Sequence, residues 1–203
     1  MQPLQTASNY DRLARFWAQL HTDSDYGVEQ LKRAISFTSN KEWALDVGCG
    51  SSGRFIELLH NSGFSPEGLD VSNAMIAIAR ERHPNCTFYV ADIASWIFPR
   101  QYDLITAWDS TFHLPLTLQE LAFKNICTGL ASEGIFLFTC GGSDEPEIVS
   151  GGFQGETFRY STLGITAYLQ LLDQCSCVCK HLEFDQGPDG NHVYIIAQKC
   201  RPS

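Results

Sequence analysis

Between Trp43 and Phe55 the chain reads W-A-L-D-V-G-C-G-S-S-G-R-F, and no other stretch restricts its fold as much. Trp43, Ala44, Leu45 and Val47 make a short apolar strand, after which come three glycines, Gly48, Gly50 and Gly53. The period then changes: Phe55, Ile56, Leu58 and Leu59 fall on one helical face that ends near Gly63. A strand, a glycine turn and a helix form a seat for a nucleotide-like ligand. Glycine lets the backbone bend sharply and lets a ligand approach without a Cβ in the way. The free N–H groups and positive end of the helix then attract acceptor or anionic groups.

The spacing G-x-G-x-x-G at Gly48, Gly50 and Gly53 fits the dinucleotide fingerprint, so NAD or FAD is one reading. Asp46 argues against it. A carboxylate at the tip of the first strand repels a pyrophosphate but welcomes a ligand carrying an amino group and a sulfonium. The plain alternative for Asp46 is an aspartate that binds turn backbone.

Taken with that acid, A-L-D-V-G-C-G resembles the first motif of the class I S-adenosylmethionine-dependent methyltransferases, and the resemblance runs from about Tyr10 to Lys199. Many members place the third glycine where this chain has Ser52, which leaves open which of Ser51, Ser52 and Gly53 faces the methionine part of the cofactor. The resemblance implies a Rossmann-like fold: α/β, a doubly wound, mostly parallel seven-stranded sheet with helices on both faces and a C-terminal antiparallel hairpin. It implies S-adenosyl-L-methionine as cofactor and contacts from Gly48, Cys49, Gly50 and Gly53 in the turn. Asp70, about 20 residues past the first glycine, stands where a ribose-binding acid is expected, with Val71 beside it; an exposed turn residue is the alternative. By resemblance Asp92 accepts from the adenine amino group, Ile93 N–H reaches a ring nitrogen and Met75 packs on the base. Asp92 also reads as the N-cap of a turn through Ala94–Trp96, and Met75 as a core side chain. Trp108 and Asp109 are placed beside the methionine portion, and Tyr10, in N-Y-D-R-L-A-R-F, on a leading helix that closes over the cofactor; Arg15 is a weaker lid candidate.

His113, in A-W-D-S-T-F-H-L-P, is the one candidate catalytic residue: an imidazole near the mouth can take a proton from an acceptor. It also reads as a histidine that packs or caps near Pro115.

With 203 residues, 44% hydrophobic and 18% charged, one globular domain is expected. Its parts are an N-terminal helical cap or lid over 1–40, a cofactor-binding half over 41–141, and a substrate loop, helix and terminal hairpin over 142–203. A net charge of −9, with no dense basic run, disfavours a nucleic-acid partner. No window resembles a signal peptide or a membrane span, so the expectation is a cytoplasmic protein with no membrane partner. Eight cysteines without a secretory signal read as free thiols. Cys175, Cys177 and Cys179 would share a strand face and could meet a soft metal, but the pairs typical of zinc are missing, so no metal is expected.

Strand and helix signals alternate. Strands are expected near 66–70, 86–91, 102–108 and 135–140, a helix after the N-cap Ser72, and another opened by a capping box of Thr117 and Glu120. Thr162–Asp173 reads as a helix, and 176–185 and 192–199 as an antiparallel pair. Gly141 to Tyr160 reads as a long irregular lid or substrate loop, whose Asp144, Glu145 and Glu147 would attract a cation or stand solvated, and whose Arg159 and Tyr160 would face a carboxylate.

The function expected is methyl transfer to an O, N or S atom of a small molecule. A non-catalytic S-adenosylmethionine-binding module is the alternative, and an NAD-dependent oxidoreductase a weaker one, since no Tyr-x-x-x-Lys pair occurs. The acceptor's identity and the oligomeric state are not written in the chain.

Overall fold

A computed structural model describes residues 3–21, 24–51, 53–187 and 190–201. Two helices, α1 (Pro3–Leu20) and α2 (Val28–Ser36), precede an alternation of β1 (Trp43–Val47), α3 (Arg54–Asn61), β2 (Ser65–Asp70), α4 (Asn73–Arg82), β3 (Thr87–Val90), β4 (Tyr102–Ala107), α5 (Leu116–Gly129) and β5 (Leu130–Cys140). A hairpin, β6 (Glu147–Phe153) and β7 (Glu156–Thr162), then leads to α6 (Ile165–Gln174), β8 (Cys177–Phe184) and β9 (Val193–Lys199).

Seven strands form one sheet in the order β3-β2-β1-β4-β5-β9-β8. Pairings from β3 through β5 are parallel, and β9 runs antiparallel to both β5 and β8. The order reverses between β1 and β4. Chain connections leave the sheet in opposite directions there, so a crevice opens beyond the strand ends.

β4 is buried at all six positions, as a central parallel strand covered on both faces must be. One face carries Phe123 of α5 and Tyr168 of α6 against Phe136 and Phe138 of β5. The other carries Leu31 and Ala34 of α2 with Phe55 and Leu59 of α3. Ser72 caps α4 as its position foretold, its hydroxyl accepting from Met75 N–H at 3.1 Å. Asp11 of α1 adds to that helix start, accepting from Ser72 Oγ at 2.5 Å and Ala74 N–H at 3.0 Å. A carboxylate against the positive end of α4 anchors α1 over the sheet's carboxyl edge.

Two local expectations give way. α5 opens at Pro115 rather than at a capping box; the ring presets φ at −54°, and Pro115 C=O accepts from Leu118 and Gln119 N–H. Thr117 therefore lies inside the first turn. The segment Gly141–Tyr160 is not an irregular loop but mostly a hairpin, paired from Glu147↔Thr162 to Phe153↔Glu156. Its two-residue turn, Gln154 and Gly155, has φ of 51° and 82°, the geometry that matches the twist of paired strands. Two of the glycines that suggested irregularity, Gly151 and Gly152, sit in the ladder, and the alternation F-x-Y in β7 is the strand signal.

Phe123 meets Phe138 edge-to-face at 4.7 Å and lies 5.1 Å from Tyr168. Phe123→Ala should lower the unfolding free energy by about 3–5 kcal/mol, measured by urea denaturation.

Candidate functional site

The turn after β1 is locked by backbone geometry. Gly48 and Cys49 N–H both donate to Leu69 C=O, at 2.7 and 3.1 Å, which curls the chain over the tip of β2. Gly48 has φ 73°, and a Cβ there would stand 2.2 Å from Ser110 Cβ. Gly50, at φ 56°, differs: a Cβ on it would meet no protein atom within 4 Å, because it faces a cavity. That cavity, of about 340 Å³, lies beyond the carboxyl ends of β1, β2 and β4 and under α1.

Twelve of the thirteen residues expected to meet a cofactor border it: Tyr10, Asp46, Gly48, Cys49, Gly50, Asp70, Val71, Met75, Asp92, Ile93, Trp108 and Asp109. His113 borders it too. Gly53 does not; it is the N-cap of α3 with φ 65°, and a Cβ there would stand 2.2 Å from His83 Nε2. Its part is to let the chain enter the helix. Ser52 lies outside the described residues; of the other two, Ser51 lines the cavity.

The acids differ in their settings. Asp46 is buried and accepts from Thr106 Oγ1 at 2.6 Å; burial pushes its pKa up to about 6, and Thr106 and Arg54 offset only part of this. Asp70 accepts from Ser72 N–H at 2.8 Å and Gly50 N–H at 3.0 Å, so it braces the glycine turn; burial also raises its pKa. Asp92 Oδ1 accepts from Ala94 N–H at 2.9 Å, so the turn-capping reading of Asp92 is realised while the residue also borders the cavity. Met75 is 3% exposed and serves the core and the cavity wall together.

Tyr10 Oη lies 2.7 Å from His113 Nε2, and His113 Nδ1 lies 3.3 Å from Arg159 C=O. A carbonyl only accepts, so Nδ1 carries the proton, and Tyr10 donates to the lone pair on Nε2. Burial lowers the His113 pKa to about 4, which keeps the ring neutral, and burial raises that of Tyr10. His113 is both a packing and a polar residue: Phe112, Phe158 and Tyr160 surround it with ring centroids at 4.8, 5.8 and 5.0 Å.

Other candidates fall away from the cavity. Arg15, Asp144, Glu145, Glu147 and the Arg159 side chain are exposed, and Tyr160 packs on Phe112 and His113. Cys175 caps α6 ahead of β8, and Ser176, with φ 57°, turns the chain between them, so Cys175, Cys177 and Cys179 do not share a strand face. All eight cysteines are free thiols.

Residues unmarked by motif, among them Thr6, Trp17 and Ser110, complete the wall. Thr6 Oγ1, Trp17 Nε1, Ser51 Oγ, Trp108 Nε1 and Ser110 Oγ are buried without a hydrogen-bond partner among the described residues, and all five residues line the cavity. A buried unsatisfied polar group costs about 1–3 kcal/mol, so this wall is built to meet a polar ligand. Positions 6, 10 and 17 share one face of α1 at helical spacing, the single sequence signal that could have found Thr6 and Trp17. Arg54 of α3 also lines the cavity and donates from Nε to Tyr26 C=O at 2.8 Å. His192, remote in sequence, bridges Asp109 and Asp185.

Comparison with known proteins agrees with this geometry. Residues 44–134 match the family model described as a methyltransferase domain. The trans-aconitate 2-methyltransferase of Yersinia pseudotuberculosis is 38% identical over 119 residues, covering 54% of this chain and 45% of the relative. That of Escherichia fergusonii is 42% identical over 98 residues, covering 47% and 38%. The chain thus spans less than half the length of the curated relatives it matches. Among solved structures, a 1,6-didemethyltoxoflavin-N1-methyltransferase from Burkholderia thailandensis superposes with a TM-score of 0.73 at 14% identity, covering 97% of this chain and 88% of that one. An S-adenosylmethionine-dependent methyltransferase from Clostridium acetobutylicum gives 0.68 at 15%, covering 97% and 98%. The chain thus has the fold of S-adenosylmethionine-dependent methyltransferases of known structure, and its residues 44–134 match a methyltransferase domain.

Proposed function

We propose that this protein transfers a methyl group from S-adenosyl-L-methionine to an O, N or S atom of a small molecule. The observation that carries the reading is the meeting of Asp46, Asp70 and Asp92, from three successive strand ends, on one cavity with five polar groups that have no partner among the described residues. Asp70 would hold the ribose hydroxyls, and Asp92 with Ile93 N–H the adenine edge, with Met75 against its face. The turn Gly48–Gly50 would approach the ribose and methionine, and Asp46, Trp108 and Asp109 would surround the methionine end. When bound there, S-adenosylmethionine supplies an electrophilic methyl on a sulfonium.

The chain's own contribution is positioning and proton handling. Buried walls and the α1 roof exclude water, which leaves an acceptor nucleophile poorly solvated and reactive. A hydroxyl or ammonium acceptor would release its proton to Tyr10 Oη as the phenol proton moves to His113 Nε2 along the 2.7 Å bond. The Arg159 carbonyl keeps the imidazole oriented for that transfer. An acceptor that arrives unprotonated needs neither residue.

The stretch aligned with the aconitate enzymes, 119 residues for one of them, is little more than half of this chain, so their substrate name does not pass to it. A reducing compartment suits eight free thiols, which supports the cytoplasm. No helix among the described residues is long and apolar enough to cross a membrane.

Calorimetric titration with S-adenosylhomocysteine and with NADH tests the assignment: binding of the first alone is expected, and binding of NADH alone would overturn it. Binding with no methylated product from a broad panel of small acceptors would favour a non-catalytic module. His113→Ala and Tyr10→Phe should each lower kcat by about 10²-fold with a protonated acceptor while leaving S-adenosylhomocysteine affinity within about threefold, and the double variant should be no worse than the worse single. Equal losses in affinity and turnover would remove the proton-handling role.

Asp46 makes an opposite pair of predictions. Its folded pKa is raised, so the stability it contributes is full below the unfolded value near 4 and is lost as pH rises through about 6. Asp46→Asn should therefore stabilise the ligand-free protein at pH 7.5 by on the order of 2 kcal/mol, with the gain shrinking towards pH 4.5, while weakening cofactor binding. Thermal denaturation at the two pH values and calorimetry check both limbs.

A further inference from the structure

His192 stands at the start of β9, in the terminal hairpin, yet its ring reaches the cavity wall. Nδ1 lies 2.5 Å from Asp185 Oδ1 and Nε2 lies 3.0 Å from Asp109 Oδ1. Ionised carboxylates only accept hydrogen bonds, so both ring nitrogens must donate, and a ring that donates from both is an imidazolium. A neutral ring would aim a lone pair at one of the two acids. The bridge is sheltered: the His192 side chain is 13% exposed and that of Asp185 5%. Gln30 of α2 donates to the other oxygen of Asp185 at 3.1 Å, and the Trp108 and Tyr26 rings flank the imidazole at 5.6 and 6.3 Å.

At its far end the bridge organises Asp109. That residue has φ 49°, a left-handed conformation with a steric cost outside glycine. Its N–H donates to Thr139 Oγ1 at 2.8 Å, and its Oδ1 receives both Thr139 Oγ1 at 3.1 Å and His192 Nε2. With Oδ1 held from the β5 and β9 side, the carboxylate plane is set, and the Tyr26 hydroxyl also bonds this carboxylate.

We propose that His192, as an imidazolium held between Asp185 and Asp109, is a positioning residue that orients the Asp109 carboxylate for the cationic methionine end of the cofactor. The inference rests on the methyltransferase reading above. It adds a residue outside the cofactor half, so that the C-terminal hairpin takes part in the site through charge and not by packing alone.

The arrangement has a pH signature. Burial opposes the imidazolium, but the bonds and charges of Asp109 and Asp185 outweigh it and raise its pKa above the usual 6.5. The contribution is then full below that value and is lost as pH rises through the raised one. The other groups that feel the Asp109 charge are Tyr10, Tyr26 and Tyr160, whose pKa values burial raises, and Arg54, His21 and His113, whose pKa values burial lowers. On the acid side Asp46 gains its charge through about pH 6, so cofactor affinity should rise and then fall, with His192 setting the alkaline limb.

The test is calorimetric titration of the full chain with S-adenosylhomocysteine from pH 5.5 to 9.5, with NMR of the imidazole nitrogens. Wild type should show both His192 nitrogens protonated at pH 7. Its affinity should fall on the alkaline limb by at most about tenfold per pH unit, the limit for one linked proton. His192→Gln should bind about tenfold more weakly at pH 7 with that limb flattened. His192→Lys, whose charge persists across the range, should recover most of the affinity and also flatten the limb. An alkaline limb that persists in both variants, or NMR showing a neutral ring at pH 7, overturns the proposal, and the NMR result stands even where a variant fails to fold. Wild type that binds no S-adenosylhomocysteine at any pH sinks the methyltransferase reading and this inference together. Binding without an alkaline loss sinks this inference alone.

Discussion

Carboxylates withheld from water at the carboxyl edge of a parallel sheet are the constraint on which the rest of this structure depends. Asp46 and Asp70 are 5% and 9% exposed, and burying a charge so deeply is costly unless something compensates. The protein supplies part of that compensation: the Thr106 hydroxyl for Asp46, and the N–H groups of Gly50 and Ser72 for Asp70. Well-packed aromatic cores on both sheet faces sustain this local cost at the strand tips.

The same logic explains the roof. α1 is tied down at its middle by Asp11 on the start of α4, and on its other side by Asn9 Nδ2 donating to Thr157 C=O at 2.8 Å and Arg12 paired with Glu156 at 2.5 Å. The hairpin of β6 and β7 thus acts as a splint for the helix that closes the cavity. Phe158 of that hairpin packs against Tyr10 at 5.0 Å, so the helix over the cavity is positioned by residues more than a hundred places away in the chain. Both α1 and the hairpin lie outside the matched domain of residues 44–134.

How far the chain could be read from its residues varied with the range of the interaction involved. The glycine turn, the acids at successive strand ends, the Ser72 cap and the antiparallel close of the sheet were all legible, because each depends on backbone preference or strand period within a few residues. Gly53 was assigned to the ligand by its spacing but is occupied by helix entry and the neighbouring His83 ring. Residues 141–160 were mistaken for a loop because glycines in a ladder look like glycines in a turn; pairing with a partner strand distinguishes them, and pairing is not local.

Composition and motif alone determined the α/β class, the location of the crevice and the three acids that face it, since these follow from chain stiffness, hydrophobic period and charge sign. Only the tertiary structure decided the tautomer of His113, the burial of the Trp17 and Trp108 indoles with no partner among the described residues, and the charge on His192. Those properties belong to no residue by itself. They arise when a carbonyl, a cavity or a pair of carboxylates is brought against a side chain by folding, and until then water answers every hydrogen bond equally well.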